Sequence, residues 1–94
     1  MKGVHILVVD DEEVVLESCE RALVSHRYHV TRAKSVDAAI EEMRRRYFDV
    51  VIVDLVMPKK GGMDLLKFVK ENFNQIQVIM ITGYSSINTA VESI

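Results

Sequence analysis

The stretch Val4-His5-Ile6-Leu7-Val8-Val9-Asp10-Asp11 decides how the chain is read. It is an apolar run too short for a helix and rich in β-branched side chains, and it breaks at once into two carboxylates. That pattern marks a strand buried on both faces, as in a parallel sheet. The same pattern returns at Asp49 to Asp54 (DVVIVD) and at Gln77 to Thr82 (QVIMIT). Tyr28 to Arg32 reads as a weaker strand, polar enough to stand at an edge.

Between these runs the apolar spacing changes to steps of three and four. Leu16, Cys19 and Leu23, with Val15 and Ala22, predict a helix from about Glu12 to His26. Ser35 can cap a second helix carrying Val36, Ala39, Ile40 and Met43. Pro58 and Gly61-Gly62 mark a loop, with backbone freedom as the expected reason for the glycines. Met63, Leu66, Val69 and Phe73 follow as the expected core stripe of a third helix, and Ile87, Ala90, Val91 and Ile94 outline a fourth. Strands alternating with helices define βαβ units around a parallel sheet. Residues 1–94 are expected to form one domain, cut inside the fourth helix. The apolar fourth strand then expects a neighbour, either a fifth strand or, in a homodimer, another chain.

Composition narrows the function. With 49% hydrophobic and 28% charged residues the chain is globular, and no stretch is apolar enough to span a bilayer. Cys19 is alone, so neither a disulfide nor a cysteine zinc site is expected, and a cytoplasmic location fits. The net charge of -2 argues against nucleic acid binding by this segment.

Ligands of an open parallel sheet bind beyond the carboxyl ends of its strands. Three strands end there in Asp10-Asp11, in Asp54 and in Thr82-Gly83, so these groups should converge. Clustered carboxylates repel, and a hard dication relieves the repulsion; an all-oxygen donor set favours Mg²⁺ or Mn²⁺ over zinc. Asp54, alone at its strand end, suits a phosphoryl acceptor while the acidic pair holds metal. Thr82 offers a hydroxyl and Gly83 a backbone N–H to the phosphoryl oxygens.

The segments VVDDEE, VDLVMPKKGGMDLL and VIMITGYSS resemble the response-regulator receiver family of two-component signalling, the CheY-like superfamily. The resemblance implies a flavodoxin-like doubly wound sheet of strand order 2-1-3-4(-5). It implies that Asp10 and Asp11 bind magnesium with Asp54 and the backbone carbonyl of Val56, that Asp54 takes the phosphoryl group, and that Thr82 is the switch hydroxyl. A sensor histidine kinase or phosphotransfer protein is the implied donor, and an output domain outside this segment, such as a transcription regulator, the implied target. The family's fifth-strand lysine and aromatic switch residue would fall beyond Ile94. The expected role is a phosphoacceptor switch rather than an enzyme acting on a separate substrate.

The alternative function is a phosphorylation-silent interaction module on the same fold. An aspartate-nucleophile phosphatase would need D-x-D, and Asp54-Leu55-Val56 lacks the second acid. Arg44-Arg45-Arg46 reads as cations complementing a helix C-terminus rather than as a nucleic-acid patch. Lys59-Lys60 reads as a solvated loop, and His5, His26 and His29 as surface or edge residues without metal-ligand spacing. Cys19 reads as a small core hydrophobe.

Overall fold

The structure is a computed structural model that describes residues 3–55, 57, 61–81 and 94. Strands β1 (His5–Val9), β2 (His29–Ala33), β3 (Val50–Asp54) and β4 (Gln77–Ile81) alternate with helices α1 (Glu13–Ser25), α2 (Val36–Arg45) and α3 (Gly62–Asn72). The strands form one parallel sheet in the order β2-β1-β3-β4. This is the expected doubly wound order, with β2 at an edge.

The even-odd alternation of the central strands explains their continuous apolar sequence. Leu7, Val9, Val51 and Val53 face α2 and α3, in a core with Val36, Ala39, Met43, Leu65 and Val69. Ile6, Val8 and Ile52 face α1, against Val15, Leu16, Cys19 and Leu23. Each face of β1 and β3 is therefore covered by a helix, and no polar alternation is needed. Cys19 packs as expected, and burial pushes its thiol up to about 11, which keeps it protonated and unreactive.

Local signals set the helix ends. The Ser35 hydroxyl accepts the Ala38 N–H at 3.0 Å, the expected N-cap of α2. After α1 the chain turns through Arg27 at φ 67, with the Arg27 N–H donating to the Val24 carbonyl. A non-glycine residue in that region pays a steric cost that helix closure offsets. The start of β1 is clamped to β3 by Asp49, whose Oδ2 accepts the His5 N–H and whose own N–H donates to the His5 carbonyl, both at 2.8 Å.

Two expectations are corrected. The α3 core stripe is Leu65 and Val69 with Phe68 and Phe73 packed beside them, while Met63 is 59% exposed. Met63, Leu66 and Val69 satisfy the helical period, but so do Leu65, Phe68 and Val69, and β3 docks on the second set. Gly61 and Gly62 also serve a different purpose from the one expected. No glycine among the described residues has positive φ. A Cβ on Gly62 would lie 2.5 Å from the Asp54 carbonyl oxygen, so close approach is what excludes a side chain.

At the other edge of the described sheet, β4 is apolar yet only half-buried at Val78, Ile79 and Met80. Of the expected fourth helix only Ile94 is described, packed against the α1-side core. Ile87, Ala90 and Val91 lie outside the described residues.

Candidate functional site

The carboxyl ends of β1 and β3 build the site. β1 runs out of its sheet at Asp10, whose N–H donates to the Ala33 carbonyl of β2 at 3.1 Å. Its Oδ1 turns back to accept the Glu12 N–H at 2.9 Å, which fixes the carboxylate at the mouth of α1. Asp10 is only 2% exposed and is the buried charged residue among those described.

Burial of a carboxylate disfavours its charged form. That desolvation is the main cause raising Asp10 from 3.8 to about 6; the Glu12 N–H opposes it, and the neighbouring charges of Asp54 and Asp11 add to it. Asp10 and Asp54 follow the paired Val9 and Val53, so they stand at neighbouring exits although they belong to different strands. Asp11 and Glu12 are exposed, and one carboxylate oxygen from each of Asp10, Asp11 and Glu12 can lie within 4.8 Å of the others.

Asp54 is the last residue of β3 and half-buried. Its backbone is held from two sides. The Leu55 N–H donates to the Ile81 carbonyl at 2.8 Å, which zips the exits of β3 and β4. The Gly62 N–H donates to the Leu55 carbonyl at 3.1 Å, drawing the start of α3 onto the Asp54 carbonyl. Asp64 steadies that start by accepting the Gly61 N–H at 3.0 Å; Gly61 has no side chain to return the bond.

The donor set suits a hard dication. It offers only carboxylate oxygens, one of them buried and reluctant to ionise beside two other acids. Around the rim, Glu13 bridges to Arg32 at 2.7 Å and to Lys34 at 3.0 Å. The Lys34 hydrogen bond, then the nearby positive charges, hold the Glu13 carboxyl below its ordinary range and tie α1 to β2.

The structure thus brings Asp10 and Asp11 together with Glu12, while Asp54 stands at the neighbouring strand exit, beyond the Val9–Val53 pair, and outside that 4.8 Å group. Val56, Thr82 and Gly83 lie outside the described residues. Sequence reasoning passed over Glu12, whose place in the DDEE run was the available signal, and the packing role of Gly62, which no spacing announces.

A parallel β2-β1-β3-β4 sheet with helices on both faces and acidic residues at its strand exits defines a doubly wound α/β domain of the kind whose ligands bind beyond the carboxyl ends of the strands. Residues 6–94 match the family described as response regulator receiver domain, and the chain belongs to that family. It is 33% identical over 88 residues to the response regulator protein PilR of Pseudomonas aeruginosa, covering 94% of this chain and 20% of that protein. It is 37% identical over 92 residues to the transcriptional regulatory protein ZraR of Escherichia coli O157:H7, covering 98% of this chain and 21% of that one. The chain therefore spans about a fifth of the length of these curated relatives.

Among solved structures, a response regulator receiver domain protein from Clostridium thermocellum superposes with TM-score 0.81 at 32% identity, covering 96% of this chain and 73% of that one. The response regulator TrrA of Thermotoga maritima, in complex with Mg²⁺-BeF, superposes with TM-score 0.82 at 27% identity, covering 92% of this chain and 75% of that one.

Proposed function

We propose that residues 1–94 act as one receiver unit in which Asp54 accepts a phosphoryl group from a phosphohistidine. The observation that carries this reading is that β1 and β3 run parallel with Val9 beside Val53, so that the buried Asp10 and the half-buried Asp54 leave the sheet at neighbouring exits. Acidic groups gathered at neighbouring strand exits, one of them reluctant to ionise, are what a cation and an incoming phosphoryl group would relieve.

Asp10, Asp11, Asp54 and the Val56 carbonyl would hold Mg²⁺, with Mn²⁺ a substitute and Glu12 within reach of the acidic pair. When bound, the ion neutralises the carboxylates and the charge of the arriving phosphoryl group. An Asp54 carboxylate oxygen attacks phosphorus, the P–N bond to the donor imidazole breaks, and its electron pair stays on the ring nitrogen. The product is an acyl phosphate on Asp54 and a free histidine. Gly62, by pressing α3 onto the Asp54 backbone, orients the acceptor. Thr82 and the Gly83 N–H are proposed to receive the phosphoryl oxygens.

The donor is proposed to be a sensor histidine kinase or phosphotransfer protein in the cytoplasm, and the target an output domain outside these residues. The similarity to the transcriptional regulatory protein ZraR supports a regulator of transcription as that output. Among the described residues no helix is long and apolar enough to cross a membrane. Incubation of the protein with Mg²⁺ and a small phosphoramidate tests the reading. The intact mass should rise by one phosphoryl group, and Asp54→Asn should abolish the gain; equal gain in both proteins refutes it.

A further inference from the structure

The opposite end of the sheet, at the amino ends of β1 and β3, carries a second surface that the phosphoacceptor reading does not use. Helix α2 ends in Arg44 and Arg45, and its C-cap Arg46 turns the chain outward in extended conformation. Arg44 lies over the Phe68 ring at 6.0 Å. Arg45 and Arg46 project into solvent with side chains 65% and 53% exposed, and Tyr47 beside them is 58% exposed.

Two shallow hollows share these three side chains. One, of about 280 Å³, is floored by apolar groups that include Phe73 and Ile76. The other, of about 420 Å³, is completed by His5. Glu42 reaches Arg46 at 3.5 Å and Arg45 at 3.9 Å, distances too long for strong charge-assisted bonds, and its Oε1 has no hydrogen-bond partner. The surface already accommodates a carboxylate, and each guanidinium carries five N–H donors.

The helix dipole accounts for a cation in the last turn of α2. It does not account for an exposed tyrosine between two arginine-lined hollows. Tyrosine and arginine around an apolar floor is the composition of protein-binding hot spots.

We propose that this surface binds an acidic segment of a partner protein, with carboxylates on Arg45 and Arg46 and an apolar side chain laid against Tyr47 and Phe73. A nucleic acid fits less well. Its backbone needs cations spread along a track, whereas these are gathered at one point on a chain of net charge -2, with Glu42 among them. Because the parallel strands separate it from Asp10 and Asp54, the surface can be occupied whatever the state of the phosphoacceptor.

Fluorescence anisotropy with the whole chain tests this. The probe is a labelled peptide of alternating Glu and Asp around one Phe, run beside its Gln/Asn counterpart and a single-stranded oligonucleotide of equal length. The acidic peptide should bind saturably, and Arg45→Glu/Arg46→Glu should weaken it by about tenfold or more, the loss of one to two charge-assisted contacts. Phosphoryl uptake by that variant should be unchanged. Amide shifts on the wild-type protein should map to residues 43–48 and 73–76, which tests the surface without any substitution. No saturable binding, binding indifferent to charge reversal, shifts elsewhere, or tighter binding of the oligonucleotide would each overturn the proposal.

Discussion

Gly62 shows how one missing side chain lets a helix approach the backbone of the proposed acceptor. Adding a Cβ there brings it 2.5 Å from the Asp54 carbonyl oxygen and 3.1 Å from the Leu55 Cα, both backbone, so the neighbours cannot yield by rotating a side chain. Gly62→Ala gains about 1 kcal/mol of helix propensity but incurs about 1–3 kcal/mol of overpacking. Denaturant unfolding should show net destabilisation, and phosphoryl uptake at Asp54 should fall with it. A stabilised Gly62→Ala protein with full uptake would show that the close approach does not matter. In sequence this glycine looked like loop freedom; the contact that explains it joins residues brought together only by the fold.

Elements were legible where one periodicity dominated and ambiguous where two coexisted. The strands were read within a residue or two of their observed ends, because apolar runs broken by aspartate or threonine admit little else. Helix α2 followed from Ser35 and a single clean stripe. Helix α3 offered both a Met63-Leu66 and a Leu65-Phe68 register, and only the position of β3 decides between them. Substitution separates them experimentally: Leu65→Ala, at a fully buried site, should cost about 2–5 kcal/mol, whereas Met63→Ala should stay within about 0.5 kcal/mol. Comparable losses in urea unfolding would mean that α3 does not turn Leu65 and Val69 toward the sheet.

Across the whole molecule, the buried Asp10 of the acidic cluster should make stability depend on pH in an unusual direction. Asp10 is raised from 3.8 to about 6, so between those values the folded state holds a proton that the unfolded chain has released. Without metal, stability should therefore be greatest below about pH 4 as far as this group is concerned, and fall as pH rises through 6. At 1.36 kcal/mol per unit the loss is on the order of 3 kcal/mol. Asp10→Asn keeps the oxygen that accepts the Glu12 N–H and removes the charge, so in metal-free buffer it should melt above the wild type at pH 7. That advantage should vanish near pH 4. A wild type more stable than Asp10→Asn at pH 7 without divalent cations would contradict the buried, strained carboxylate. The acidic pair and Asp54 were legible in sequence as strand-end aspartates, but the ionisation cost of Asp10 depends on burial that only the folded sheet creates.

Chemical trapping locates the phosphoacceptor most directly. After reaction with phosphoramidate and Mg²⁺, borohydride reduces an aspartyl phosphate to a primary alcohol, which peptide mapping can place to the residue. The modified position should be Asp54. Reduction at Asp10 or Asp11, or none anywhere in a protein that has gained phosphoryl mass, would contradict the assignment of the site.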